Sequence, residues 1–298
     1  MLRGALVVWA ISSLCSGTRA RLLHFILRNT REQQGCQVIV GETMQRPGRV
    51  TCAVDGIDFD DLDEPGAVGL IVAESLAGRG GFVITPNVDI LRQLRRPANR
   101  DLAQVADLVL ADGMPVVWAS RLSRRPLQAR VAGSSLIFTL SSAAAVAGLK
   151  VYLLGGVEGA AERAATRLSG DGAQVAGWSC PPFGFEHDPR QLEIITHALA
   201  EARPDIVYVG LGFPKQERLI IALRETFPGV WFIGCGGSIA FAAGDIDRAP
   251  TGLQRVGLEW VHRLAMEPKR LARRYLVDDV PYAIGLLFRA SIGGLRRP

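Results

Sequence analysis

From Lys150 to Gly234 the chain alternates short apolar runs with helix-length amphipathic segments. Lys150 to Leu154 reads as a strand, Gly155-Gly156 as a tight turn and Val157 to Leu168 as a helix. Ala173 to Trp178 and Asp205 to Gly210 read as further strands, each followed by a helix, at Gln191 to Ala202 and Lys215 to Thr226. Val230 to Gly234 closes the series and runs into Gly236-Gly237. Strands and helices of these lengths in strict alternation imply βαβ units with right-handed crossovers, and hence a parallel sheet covered by helices.

The segments upstream fit the same plan. Val50 to Val54 reads as a strand followed by an acidic turn from Asp55 to Asp61, and Pro65 to Ala77 as a helix ended by Gly78-Arg-Gly-Gly81. Phe82 to Thr85 is a strand that Pro86 closes, and Asn87 to Arg96 an amphipathic helix with Val88, Ile90, Leu91 and Leu94 as its apolar stripe. A second short helix near Asn99 to Ala106 leads to the strand Leu108 to Ala111. Asp112-Gly113 stops that strand, Met114 onward can restart as a helix, and Ser134 to Ala147 is an Ala-rich helix.

The ends of the chain differ from this middle. The net charge of +5 is carried by residues 1–50 and 248–298, whereas residues 51–247 hold more acids than bases. An acidic middle between basic ends argues against a broad nucleic-acid surface and for a body whose ends face something anionic. Ala5 to Cys15 is apolar and followed by Arg19, Arg21, Arg28 and Arg31. It resembles the apolar region of a signal peptide but is shorter than the roughly 18–20 residues that span a bilayer, and a dispensable leader is the alternative. In the tail, Arg263, Lys269, Arg270, Arg273 and Arg274 alternate with Leu264, Leu271, Tyr275 and Leu276, and the apolar segment Pro281 to Ala290 follows. That pattern fits a membrane-surface element, or a helical hairpin packed on the body or on another subunit. The five cysteines (Cys15, Cys36, Cys52, Cys180, Cys235) are odd in number, without a C-x-x-C, and with four scattered histidines they offer neither a disulfide framework nor a metal site.

Chemistry is expected where strands end. A carboxylate at the carboxyl end of a buried strand, beside a glycine, lies where open α/β sheets bind ligands, and Asp112-Gly113 has that placement. The plainer reading of Asp112 is a helix cap. Four more turns stand at strand ends: Thr85-Pro-Asn87, Leu154-Gly-Gly156, Gly210-Leu-Gly-Phe-Pro-Lys-Gln216 and Gly234-Cys-Gly-Gly-Ser238. Crowded on one sheet edge, their N–H groups and helix N-termini suit a diphosphate. Neither G-x-G-x-x-G nor G-x-x-x-x-G-K-[ST] occurs at these turns, which counts against NAD and ATP chemistry.

Taken together, these turns carry a resemblance. Thr85-Pro-Asn87, Ala111-Asp-Gly113, Arg130-Val-Ala-Gly133, Leu153-Leu-Gly-Gly156, Gly210 to Glu217, Gly236-Gly-Ser238 and Arg248-Ala-Pro250 occur in order, followed by Gly257-Leu-Glu-Trp260, Arg263-Leu and Glu267-Pro-x-Arg270. The set resembles the WecG/TagA/CpsF glycosyltransferases (glycosyltransferase family 26) from about Val54 to Ala290 and leaves residues 1–50 unmatched.

The resemblance implies a Rossmann-like α/β body, a mostly parallel sheet flanked by helices, over residues 51–247. It also implies a basic C-terminal helical appendage over 248–298 that helps complete the site and reach the membrane. The implied reaction is inverting, metal-independent transfer from a UDP-sugar to a polyprenyl-diphosphate-linked saccharide at the cytoplasmic membrane face. The sugar would be of the N-acetylmannosamine, N-acetylmannosaminuronate or glucose type, and the product a cell-surface polysaccharide precursor. No cofactor beyond the donor substrate, no metal and no nucleic acid are expected, and a homo-oligomer is plausible for the family.

Carried over position by position, Asp112 matches the family's proposed general base, with Thr85 and Asn87 beside it. Gln216 matches a polar residue proposed to hold the donor, together with the turn glycines Gly155, Gly156, Gly210, Gly236 and Gly237. Arg130 matches a pocket arginine facing the diphosphate, and Arg263, Arg270 and Arg273 fall where the appendage supplies arginines. The bland reading of each arginine is a solvated helix face, and Lys215 reads as a surface lysine. Three positions depart from the family pattern: Ile239-Ala240 and Ser134 stand where acids are usual, and Pro182-Phe-Gly-Phe185 replaces a His-Gly-Tyr-like turn. Two other classes remain to be weighed against the transferase. One is a nucleotide-cofactor oxidoreductase on the same type of sheet, and the other a non-catalytic partner that binds lipid-linked sugar.

Overall fold

A computed structural model describes residues 50–250, 252–253 and 259–295. The N-terminal apolar and arginine-rich stretches, and Gly257 of the tail motif, lie outside the described residues. The body is a six-stranded sheet built from β3 (Gly81–Ile84), β4 (Leu108–Val109), β5 (Lys150–Gly155), β6 (Gln174–Ser179), β7 (Ile206–Gly210) and β8 (Trp231–Gly234). The strand order is β4-β3-β8-β7-β5-β6, and every pairing is parallel.

Because side chains alternate across a strand, every strand but the edge strand β6 feeds two cores. Phe82, Ile84, Tyr152, Leu154, Val207, Val209 and Phe232 enter one, and Val83, Val151, Leu153, Ile206, Tyr208, Trp231 and Ile233 the other. The first is closed by α2 (Val88–Leu94), α3 (Met114–Leu122), α6 (Pro189–Ala202) and α7 (Lys215–Arg224). The second is closed by α1 (Glu64–Leu76), α4 (Gly133–Ala147), α5 (Ala160–Gly170) and α8 (Ser238–Ala243). Local chemistry starts these helices where the sequence changes register. The Asp63 carboxylate accepts from Gly66 N–H at the start of α1, Asn87 from Ile90 N–H at α2, and Asp188 from Arg190 N–H at α6.

The acidic segment after Val54 is not a long turn. Thr51–Val54 (β1) and Ile57–Asp60 (β2) form an antiparallel hairpin, and only Asp55-Gly56 turns. Both residues have positive φ, 52° and 83°, the conformation of a two-residue hairpin loop that Asp-Gly favours. The alternation Ile57, Phe59 that this register requires was masked by three flanking aspartates, yet Phe59 is fully buried. Asp60, also buried, accepts Val109 N–H at 2.7 Å and ties the hairpin to the edge strand β4. The expected helix near Asn99 is a 3-10 segment, Pro97–Leu102.

The tail is more broken than one amphipathic helix. It comprises α9 (Glu259–Met266), α10 (Pro268–Ala272), a π-helical stretch Arg273–Asp279 and α11 (Val280–Leu295). Pro268 caps the break between the first two by starting a new helix at its first turn. Two ionic clusters strap the tail to the body. Asp89 on α2 accepts Arg92 at 2.7 Å and Arg274 at 2.9 Å, with Asp279 3.5 Å from both arginines. Asp55 of the hairpin accepts Tyr282 and, at 3.0 Å, Arg289. Between them Leu286 is buried and Tyr282, Leu287 and Ala290 pack against the first core. The opposite face of α11 carries Ile284 and Phe288 at 64% and 67% exposure, in line with exposed Leu276 and Val277. No helix among the described residues is long and apolar enough to cross a membrane.

Candidate active site

All six strands point their carboxyl ends the same way, so the turns of the sequence motifs gather on one edge. The chain leaves β5 toward β6 and leaves β7 toward β8 on the other side, which opens a crevice between β5 and β7. At that crevice Gly155 pairs with Gly210, and Gly156 N–H donates to Gly210 O at 2.9 Å. A β-carbon on Gly155 would lie 2.7 Å from the Gly210 carbonyl oxygen, so the two turns can approach only because no side chain intervenes. Cys180 on the loop after β6 reaches the Gly156 carbonyl from the far side at 3.3 Å.

Gln216 joins the next two turns. It is buried at the start of α7, and its side-chain oxygen accepts Gly212 N–H and Gly236 N–H, each at 3.1 Å. Its amide nitrogen donates to Glu217 Oε1 at 2.8 Å. The residue expected to hold the donor is therefore engaged in holding the turns that face it. Thr85 is likewise turned inward: its hydroxyl donates to the Gly234 carbonyl at 3.1 Å, tying the ends of β3 and β8 together. Asn87 caps α2 with its side-chain oxygen, and its β-carbon lies 3.9 Å from the place a β-carbon of Gly113 would occupy. Thr85, Asn87 and Asp112 are thus brought into one corner, the first two bound into the scaffold.

Asp112 is only partly exposed. Its backbone N–H donates to Pro86 O at 3.1 Å, and its carboxylate accepts Gly133 N–H at the first turn of α4. Burial pushes the carboxyl up from the ordinary 3.8 to about 6, against the pull of Arg130 and then Arg263, while Glu259 pushes it further up. Arg130 donates from Nη1 to Glu259 Oε2 at 2.9 Å, a pair whose side chains are 15% and 12% exposed. Arg263, one helical turn after Glu259, lies over the Phe241 ring at 5.2 Å and within 3.4 Å of where a β-carbon on Gly237 would sit. Arg130, Arg263, Gly236 and Gly237 therefore gather around the Asp112 corner. Arg270 and Arg273 do not join them: Arg270 is paired to Glu267 and Arg273 is exposed. Lys215 pairs with Glu186 and lies 4.8 Å from the fully exposed Phe183 ring, while Phe185 is buried. Among the described residues no three His, Cys, Asp or Glu side chains gather as metal ligands.

Two acids that the motif reading did not single out belong to this edge. Glu259 was legible only as part of a motif, since its partner Arg130 lies 129 positions away. Glu217 is fully buried under the Gln216 amide, with Oε2 unpartnered. Burial pushes its carboxyl from 4.5 to about 7, against the Gln216 hydrogen bond and its own backbone N–H. The folded protein thus binds this proton more tightly than the unfolded chain. The stability so gained is complete below about pH 4.5 and is lost as pH rises through about 7. Glu217→Gln keeps the shape and the acceptor for Gln216 but removes the titration. Thermal or urea unfolding should show the variant gaining on the wild type by about 2–3 kcal/mol between pH 5 and pH 8. A difference that does not change with pH would contradict a buried neutral carboxyl at this position.

A family model described as the glycosyl transferase WecG/TagA/CpsF family matches residues 52–296. A Bacillus spizizenii protein named N-acetylglucosaminyldiphosphoundecaprenol N-acetyl-beta-D-mannosaminyltransferase is 32% identical over 245 residues, covering 81% of this chain and 93% of its own. A Staphylococcus aureus protein of the same name is 31% identical over 244 residues, covering 78% and 92%. A Bacillus subtilis relative, also so named, is 33% identical over 189 residues, covering 63% and 71%. The match covers the sheet, the Asp112 corner and the strapped tail alike, and the chain belongs to the WecG/TagA/CpsF family of glycosyltransferases.

Proposed function

We propose that this glycosyltransferase moves an N-acetylhexosamine of the N-acetylmannosamine type from a UDP-sugar to a polyprenyl-diphosphate-linked N-acetylglucosamine, with inversion and without metal. The names of the relatives support the sugar and the acceptor. The observation that carries the reaction type is Asp112: a carboxyl held near 6, at the carboxyl end of a buried strand, flanked by Arg130 and Arg263. In the transfer, an acceptor hydroxyl oxygen bonds to the anomeric carbon while the bond from that carbon to the diphosphate oxygen breaks. The hydroxyl proton passes to the Asp112 carboxylate and UDP leaves. A base whose pKa lies just below neutral is ionised at working pH and still retains basicity. The N–H groups of the Gly155-Gly156 and Gly236-Gly237 turns, with Arg130 and Arg263, suit the diphosphate charge that a metal neutralises elsewhere.

The acceptor's lipid places the reaction at a membrane surface. Leu276, Val277, Ile284, Phe288 and Ile292 form an exposed apolar row on the tail, beside Arg270 and Arg273. An amphipathic element of this kind rests in the headgroup region of anionic lipid without crossing it. In this reading the enzyme is peripheral on the cytoplasmic leaflet, with the strapped side of the tail facing the site.

Asp112→Asn should leave thermal stability near that of the wild type and reduce transfer about 100-fold or more. In the wild type kcat/KM should rise with pH through about 6 as the base ionises. Full activity in the variant would remove Asp112 from the base role. Separately, Ile284→Asp with Phe288→Asp should lower binding to vesicles of anionic phospholipid about tenfold in a sedimentation assay, since neither residue packs on the body. Undiminished binding would place the membrane contact elsewhere.

A further inference from the structure

The tail does more at this site than supply arginines. Its first helix delivers a carboxylate, Glu259, to an arginine of the body, Arg130, that stands beside the base. The charged groups facing Asp112 come from two elements: Arg130 from the segment before α4, and Glu259 with Arg263 from α9, while the Gly133 N–H supplies a hydrogen bond. Val131 N–H donates to Ala111 O at 2.8 Å, which sets Arg130 beside Asp112, and of the two arginines that act on the carboxyl Arg130 exerts the larger pull. A guanidinium closing on a carboxylate forms a bidentate, charge-assisted pair, and such a pair withdraws the oxygen lone pairs that a base needs. Arg263 cannot take over the task of holding Arg130, because both are cations; it stacks instead on Phe241 and feels Glu267.

We propose that Glu259 is a positioning residue of the transfer site: by accepting from Arg130 it keeps that guanidinium off Asp112 and leaves the base free. The inference rests on Asp112 acting as base in the transfer proposed above.

The test compares Glu259→Gln and Glu259→Asp in the full chain with two readouts. The first is the titration of the Asp112 carboxyl, followed by carbon-13 NMR of Asp-labelled protein and assigned by its loss in Asp112→Asn. In Glu259→Gln the midpoint should fall by about half a unit or more, since a negative neighbour is lost and Arg130 is released toward the base. Glu259→Asp, which keeps the charge, should stay near the wild type. The second is the acid limb of kcat/KM, which should move down with the NMR midpoint while the rate at neutral pH falls roughly three- to tenfold. An Asp112 midpoint unchanged or raised in Glu259→Gln overturns the proposal, as does lost activity with the acid limb in its wild-type place. A wild type that makes no transfer product defeats the proposed reaction, and the NMR midpoint then still decides what Glu259 does to Asp112.

Discussion

One side-chain carbonyl holds together the edge on which everything else depends. Gln216 Oε1 accepts backbone N–H groups from the turn after β7 and the turn after β8. Thr85 makes the corresponding tie between β3 and β8. These bonds lie at a buried or partly buried parallel sheet edge, where an unmade one would leave a backbone N–H or carbonyl without its protein partner. The glycine turns are consequently rigid before any ligand arrives, and rigid N–H groups cost little reorganisation when a charged group binds them. Beneath them Glu217 accepts a hydrogen from the same amide, and burial holds its carboxyl well above the ordinary carboxylate range, which disfavours a negative charge under the edge.

The Asp112 corner is assembled from two parts of the chain. The body provides Asp112 and Arg130, and α9 provides Glu259 and Arg263. The tail is held in place from a distance, by Asp89 and Asp279 with Arg92 and Arg274 and by Asp55 with Tyr282 and Arg289. Partly buried ionic clusters of this kind specify geometry more surely than they add stability, because desolvation offsets much of their attraction. The apolar row left exposed on α11 is the side away from these clusters, so the straps leave it uncovered.

Much of the sheet was legible in the sequence because buried parallel strands are apolar on both faces and their turns need glycine. The runs at Lys150, Asp205 and Val230 lie where β5, β7 and β8 lie. The hairpin strand Ile57–Asp60 was hidden because its outward and capping positions are aspartates, and only the burial of Phe59 and the tie from Asp60 to Val109 reveal it. The placement of Asp112 beyond a strand end, beside a glycine turn, was legible in the sequence. What Thr85, Asn87 and Gln216 do was not, since their partners are backbone groups that the fold brings near, such as Gly234, 149 positions from Thr85. The same holds for Glu259: spacing along a helix shows which face it shares with Arg263, but not that Arg130 awaits it. Among the tail arginines the pattern could not separate Arg263, which reaches the glycine turn, from Arg270, which is spent on Glu267, or from Arg274, which clamps α2.

The most direct measurement is the reaction itself. The full chain would be incubated with UDP-N-acetylmannosamine and a short-chain polyprenyl-diphosphate N-acetylglucosamine in the presence of a chelator, and the lipid analysed by mass spectrometry. The account predicts one added N-acetylhexosamine per acceptor, in the β configuration by NMR, with release of one UDP and no requirement for a divalent ion. An unmodified acceptor under conditions where the protein binds the donor, or product formed only when a divalent metal is restored, would contradict it.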